Sequence, residues 1–405
     1  MKKIVVNSVP LLSPLTGVGR YLFSILENIE QLDKVNKYYF YYGIGNTDKF
    51  FKRKPNFWEI SPWSKFSIIV KYSIPGVKSI FNFFMINKFL HTSFGYKTER
   101  FVKRFIKFYL RLLFHYDKNH YDIYFEPNFI PLDEIKAKKI VTTVHDFSFH
   151  LYPQWHPEDR VLFFRKNFWR NIYKSDIIVT VSNYVKEEAK RLLKGYKGEI
   201  VTIYNGYDKN KFCLIEKSVL QEYRNKKNLP ENFLLFVGSV EPRKNLLGLL
   251  KAYSLLPEYI RKDIKLLIVG FRGWKNKEVM QIISKLKNDI FYIGYVDDFE
   301  LPLLYNLALA SIYPSFYEGF GLPNIEAMAC GCPVVTSDIP SIKEICHDAV
   351  YYVNPHDIES IKDGIIKIVE DEKIRETLKA KGLKHVEKYS WKESAKKHIE
   401  LFNKL

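Results

Sequence analysis

"LALASIYPSFYEGFGLPNIEAMACGCPVVTS", residues Leu307–Ser337, decides how this chain folds. Two short apolar runs, "LALASIY" and "PVVTS", flank a glycine-bearing loop and a segment that opens with Pro323, a residue suited to the first turn of a helix. Strand, loop, helix and strand in so few residues describe a parallel βαβ unit. Two acids sit around the junction: Glu318 on the loop, and Glu326 about one turn inside the helix. They could hold a ligand, do acid chemistry, or only cap and solvate the helix. Because they lie in different local structures they address different parts of anything bound. Gly319 and Gly321 between them permit a tight turn with accessible backbone N–H groups.

The same alternation runs outward through the chain. In the first half "KKIVVN", "YYFYYG", "DIYFEP", "KKIVTTV", "DIIVTV" and "EIVTIYN" read as strands between helical patterns. The second half restarts with "NFLLFVGSV" and continues through "IKLLIVG", "DIFYIGYV", "LASIYPS", "CPVVTSD" and "AVYYVNP". Each half holds enough strands for its own doubly wound α/β sheet, with the join near "YNGYDKNKF". The expected organisation is two Rossmann-like domains facing one another across a cleft, residues 1–206 and 207–389. Beyond them "YSWKESAKKHIELF" opens with Ser390 and Glu393 at capping-box spacing and continues as an amphipathic helix, 390–405.

A chain of 405 residues with 47% hydrophobic content is long enough for two or three domains and a large core. Its four cysteines, Cys213, Cys330, Cys332 and Cys346, lack metal-ligand or secretory spacing and read as free thiols of a reducing compartment. The N-terminal "MKKIVVNSVPLL" is broken by Asn7, Ser8 and proline and reads as a first strand, not a signal peptide. No run is apolar enough for a membrane span. The net charge of +18 concentrates between Lys65 and Arg111, where ten cations meet only Glu99 amid Phe, Ile, Leu and Tyr. That composition suits an anionic membrane surface or nucleic acid; an ordinary helix pair with a solvated lysine face explains it as well.

In open α/β sheets ligands bind beyond the carboxyl ends of strands. Four junctions qualify. In "TGVGRYLFSIL", Gly17 and Gly19 precede a helix and let N–H groups approach a phosphate, although Leu22 stands where the dinucleotide fingerprint needs a third glycine. In "VTTVHDFSF", His145 and Asp146 follow a buried strand, either as base and orienter, as hydrogen bonds to a sugar, or as a pair tying the loop down. In "FVGSVEPRKNLLGLLKAYSLL", Asn245 is a good N-cap, so Arg243 and Lys244 sit at the positive end of a helix and form a diphosphate site on physical grounds. The fourth is the Glu318–Glu326 junction.

Taken together these stretches resemble the retaining, GT-B fold glycosyltransferases of family 4. "EGFGLPNIEAMACGCPVVTSD" is similar to that family's E-x7-E motif. "GSVEPRKNLLGLLKAY", "YNGYD", "GYVDDFELPLLYNLA", "YSWKESA", "TGVGRYL" and "HDFSF" match its other landmarks in order, over nearly the whole chain except about Phe57 to Arg111. The resemblance implies an N-terminal domain for the acceptor, a C-terminal domain for a sugar nucleotide, and a final helix crossing back to the first domain. It implies that Lys244, with Arg243 beside it, neutralises the donor diphosphate, and that Glu318 lies near the donor sugar. Glu326 would bind the ribose hydroxyls. The backbone of Gly319, Phe320, Gly321 and Leu322 would meet sugar and phosphates. His145 would lie near the reacting sugar, and Gly17 and Gly19 near the phosphates. Ser239 is counted with the donor-binding residues; many relatives carry arginine there, and Arg243 would then supply the second cation.

By this resemblance the enzyme is a metal-independent, retaining hexosyltransferase without a cofactor. "SPLTGVGRY" and "GSVEPRKN" resemble bacterial mannosyltransferases of O-antigen and other surface polysaccharide, which implies GDP-mannose as donor, a glycan or lipid-linked acceptor, and no nucleic-acid partner. The implied place is the cytoplasm, at the inner face of the plasma membrane through residues 65–111. A sugar-nucleotide epimerase of the same fold and a non-enzymatic basic scaffold are the rival readings.

Overall fold

The computed structural model describes residues 1–12, 17–43, 46–52 and 120–405; the basic stretch 65–111 lies outside them. Each expected strand is present: β1 (Lys3–Asn7), β2 (Lys37–Tyr41), β4 (Tyr121–Glu126), β5 (Ala137–Val144), β6 (Ile177–Thr180) and β7 (Glu199–Thr202) in the first half. The second half has β8 (Asn232–Val237), β9 (Ile264–Val269), β10 (Ile290–Gly294), β11 (Ala310–Tyr313), β12 (Val334–Ser337) and β13 (Tyr351–Val353). Among the described residues the one addition is β3 (Asn46–Thr47), antiparallel to β2, which at two residues carries no periodicity to read. The strand orders are β3-β2-β1-β4-β5-β6-β7 and β10-β9-β8-β11-β12-β13. The central strands have apolar middles, as both faces are covered: Ile4, Val5 and Val6 of β1 and Phe233, Leu234, Leu235 and Phe236 of β8 are all fully buried.

By compactness the chain divides into a unit of Met1–Val141 with Leu401–Leu405 and a unit of Thr142–Glu400. In the first, β1 pairs in parallel with both β2 and β4. The helix α1 (Gly17–Leu32) buries Tyr21, Leu22, Ile25, Leu26 and Ile29, one stripe at helical spacing. Gly17 and Gly19 are therefore inside its first turn and not ahead of it. The end of the last helix also belongs to this unit: Phe402 is fully buried with its ring 5.4 Å from Phe125, and Lys2 Nζ donates to the carbonyls of Phe402 and Asn403 at 2.9 and 3.0 Å.

The second unit contains the six-stranded sheet and the helices α2 (Glu158–Ile172), α3 (Leu246–Ser254), α4 (Leu322–Ala329) and most of α5 (Trp391–Lys404). Its core joins β8, β9 and β11 to α3 through Leu234, Phe236, Leu249, Leu250, Tyr253, Leu266 and Ile312. The four cysteines are all free. Among the described residues no helix is long and apolar enough to cross a membrane.

Chain direction reverses its march across each sheet at one place. In the first unit this is between β1 and β4, in the six-stranded sheet between β8 and β11. Such a switch leaves a crevice beyond the carboxyl ends of the two central strands.

Candidate active site

The loop after β8 tightens into a 3-10 turn at Pro242–Lys244, and Asn245 then caps α3. Asn245 adopts a left-handed φ of 53°; its Oδ1 accepts from Gly248 N at 3.2 Å and its Nδ2 donates to Pro355 O at 2.8 Å. The expected cap is present, and it fixes Arg243 and Lys244 at the head of α3. Beyond β11 the chain runs through Pro314–Gly321 before α4 begins. Gly321, at φ 87°, makes the entry turn that an L-side chain would strain.

These two loops meet because β8 and β11 are neighbours. Glu318 Oε2 accepts from Arg243 Nη1 at 3.0 Å, and Oε1 accepts from Lys244 Nζ at 2.7 Å and from Tyr313 Oη at 2.9 Å. Arg243 also donates to Tyr317 O and to Glu241 Oε1, both at 3.1 Å, and Lys244 donates to Tyr313 Oη at 2.5 Å. The side chains of Arg243, Lys244 and Glu318 are 15%, 13% and 7% exposed, so the cluster is nearly dry. The flanking cations overcome the cost of burial and hold the Glu318 carboxyl down at about 2. Burial and the neighbouring Arg243 push the Lys244 ammonium below its ordinary value.

The glycine loop is pressed against the end of β5. A Cβ on Gly319 would lie 1.9 Å from the carbonyl oxygen of His145, so only glycine allows the approach. Ser182 Oγ donates to Gly319 O at 2.6 Å. Asp146 does not stand as a separate chemical group: its Oδ1 accepts from Ser148 N at 2.8 Å and Ser148 Oγ at 2.7 Å, fastening the loop. Phe320 is buried with its ring edge-on to Tyr389 at 5.5 Å, and Leu322 opens α4. Glu326 is buried inside α4, where its charge helps raise the Tyr305 phenol beyond what burial does. Ser239 lies on the loop before Arg243, its carbonyl accepting from Glu241 N at 2.9 Å.

Two comparisons fix the family. Residues 220–385 match the family model for glycosyl transferases group 1, and residues 86–211 that for glycosyltransferase family 4. O-antigen chain mannosyltransferase B of Escherichia coli is 30% identical over 413 residues, covering all of both chains. The chain belongs to the family 4, group 1 glycosyltransferases. The serotype-specific mannosyltransferase WbdA of Escherichia coli is 31% identical over 240 residues, 57% of this chain and 29% of that one. Sucrose-phosphate synthase from Thermosynechococcus elongatus shares the two-sheet GT-B fold at a TM-score of 0.68 and 19% identity, over 100% of this chain and 99% of that structure. Neither an epimerase nor a non-enzymatic scaffold is favoured by these relatives.

For a glycosyltransferase the cluster has the right parts: two cations on the 3-10 turn just ahead of a helix, and a carboxylate that balances them. Sequence reasoning paired Arg243 with Lys244 as a diphosphate site, set Glu318 apart near the donor sugar, and missed Tyr313 and Glu241. Tyr313 is the last residue of β11, and a phenol ending a buried strand at the ligand edge was the available signal. Glu241 stands two residues before Arg243 and pairs with it at 3.1 Å. Among the described residues no group of three or more His, Cys, Asp or Glu is arranged to hold a metal ion.

Proposed function

We propose that this glycosyltransferase moves a hexose from a nucleoside-diphosphate sugar to a glycan or lipid-linked acceptor with retention of configuration, without needing a metal. Mannose is the hexose that the names of its relatives support, and GDP-mannose is the donor we assign to it. Residues 1–206 would bind the acceptor and 207–389 the sugar nucleotide. The observation that carries this reading is the Arg243–Lys244–Glu318 cluster at the β8/β11 switch.

As the glycosidic bond breaks, negative charge develops on the leaving diphosphate. Lys244, Arg243 and the amides at the head of α3 stabilise it in a dry setting, where preorganised charge is worth most. The diphosphate takes over donors that Glu318 now occupies, which frees that carboxylate for the sugar hydroxyls. Glu326 binds the ribose. Gly319, Phe320, Gly321 and Leu322 offer backbone contacts to sugar and phosphate, with His145 near the reacting sugar and Gly17 and Gly19 toward the phosphates.

The test is a thermal-shift panel with GDP, UDP, dTDP, ADP, CMP and NAD on the wild type and on Glu326→Ala. A ligand at about a hundred times its Kd stabilises by roughly 2.7 kcal/mol. A shift with GDP alone, lost in Glu326→Ala, supports the reading. A shift with UDP or dTDP instead replaces GDP-mannose as donor, and no shift with any nucleotide overturns the donor site.

A further inference from the structure

The inner stripe of α2 buries Val161, Phe164, Phe168 and Ile172 against its unit. Its opposite face is unusual for a surface in water. Leu162 and Phe163 are each 56% exposed and Tyr173 is 43% exposed. At helical spacing Leu162, Lys166, Arg170 and Tyr173 fall on one stripe. Arg165, Lys166, Arg170 and Lys174 are all exposed, and no acid occurs from Arg160 to Ser175. Tyr173 Oη donates to Lys194 O at 3.0 Å, which brings exposed Lys194 alongside the helix end.

We propose that this outward face of α2 docks on the surface of an anionic lipid bilayer. Large apolar side chains set among cations, with aromatic rings at the margin, match the acyl–headgroup boundary of such a surface. The apolar groups enter the boundary while the arginines and lysines reach the phosphates. An acidic protein would satisfy the charge but would have to present its own apolar groove to Leu162 and Phe163, whereas a bilayer needs none. Nucleic acid would satisfy the charge but needs open ring faces to stack upon. Phe163, Trp169 and Tyr173 are instead each packed edge to face with a neighbouring ring, Phe164 at 6.0 Å, His150 at 4.8 Å and Tyr196 at 6.3 Å, and Leu162 offers nothing to a base. The inference goes beyond the transferase reading and does not rest on it.

Co-sedimentation of the full chain with vesicles tests it, using phosphatidylcholine alone and phosphatidylcholine with phosphatidylglycerol at about 2:1. The wild type should bind the anionic vesicles and release in salt. Each cation at such a surface contributes on the order of five-fold in affinity. Lys166→Glu with Arg170→Glu should therefore weaken binding by more than about ten-fold, and Leu162→Ser with Phe163→Ser should also weaken it, with Tm unchanged. The charge-matched pair Lys384→Glu with Lys392→Glu, on other exposed helices, should bind like wild type. A fluorophore on Leu162→Cys should shift to the blue only with anionic vesicles. Equal losses in both charge-reversal pairs, full binding by the α2 variants, or no vesicle binding by the wild type would each overturn the proposal. So would α2-dependent binding of single-stranded RNA without vesicle binding.

Discussion

Each of the two switch points carries a buried glutamate bonded to a tyrosine, and the two carboxyls are shifted in opposite directions. At the end of β4, Glu126 accepts from Asn7 Nδ2 at 2.8 Å, Tyr124 Oη at 2.5 Å and Asn128 N at 2.9 Å, all neutral donors. Burial, only partly offset by those donors, pushes its carboxyl up to about 8. After β11, Glu318 is as deeply placed but faces Arg243 and Lys244, and is held at about 2. Position in the fold brings an acid to the ligand edge; the partners decide whether it is a charge or a neutral acid. At neutral pH Glu318 is an anion, the one the proposed diphosphate would displace, whereas Glu126 is a mostly protonated brace that ties the loop after β4 through Asn128.

The largest effects should separate these roles. Removing one partner from a buried ion pair costs on the order of 3 kcal/mol, so Glu318→Gln should destabilise by about that much at pH 6. Glu126→Gln replaces a neutral acid by a neutral amide and should cost under about 1 kcal/mol there. Urea unfolding measures both, and similar costs would break the comparison. Lys244→Met should lower kcat by roughly 10²–10³-fold, as expected for a donor aimed at developing charge, while Glu126→Gln should leave kcat within a factor of about three.

The pH dependence of stability is the next test. Glu126 titrates ordinarily at 4.5 and in the fold at about 8, so between these values the native chain holds a proton that the unfolded chain has lost. Its contribution is full below 4.5 and declines as pH rises through about 8, with a slope of at most about 1.4 kcal/mol per pH unit. Glu318 has the reverse sign: its contribution is full above 4.5 and declines as pH falls toward about 2. Glu126→Gln should flatten the neutral-range slope and leave the acid limb intact. A slope that survives the substitution assigns it to another group.

What the sequence made legible follows from the range of each interaction. The strands could be read because buried parallel strands are short apolar runs, and Arg243, Lys244 and Glu318 could be picked because each follows such a run. Their mutual contact could not, since Lys244 and Glu318 are 74 residues apart and meet only through the adjacency of β8 and β11. Glu126 was read merely as the end of "DIYFEP", because its partner Asn7 is 119 residues away. The outward face of α2 needed exposure values: "VLFFRKNFW" alone does not say which of its three phenylalanines are inside.

The loops after the two strands also differ in how they turn. Phe129 takes a φ of 64° in the loop after β4, inside the turn closed by Ile130 N donating to Asn128 O at 2.7 Å, whereas the loop after β11 relies on glycine. Gly319→Ala would drive a Cβ into the His145 carbonyl and should cost about 2 kcal/mol. Gly321→Ala, with a φ of 87° and the flexible end of Ile342 nearby, should cost about 1 kcal/mol. Thermal unfolding of the two variants ranks them, and the reverse order would mean that backbone strain outweighs crowding here.

The smallest effect sharpens the comparison most. Tyr313 donates to Glu318 and Tyr124 donates to Glu126, so Tyr313→Phe and Tyr124→Phe each delete one phenol from one carboxyl group. A bond to an ionised acceptor contributes about 1.5–3 kcal/mol and a neutral one about 0.5–1.5. Tyr124 also accepts from Leu132 N at 3.1 Å and Tyr313 from Lys244 Nζ at 2.5 Å, and each adds a cost to removal. Absolute costs therefore do not discriminate, but their pH dependence does. Glu318 is ionised throughout pH 5–9, so the cost of Tyr313→Phe should be flat across it. Glu126 ionises near the top of that range, so the cost of Tyr124→Phe should rise by about 1 kcal/mol through pH 8 as its bond becomes charge-assisted. Parallel curves would mean that the two acids share one charge state, and that the switch points differ in sequence alone.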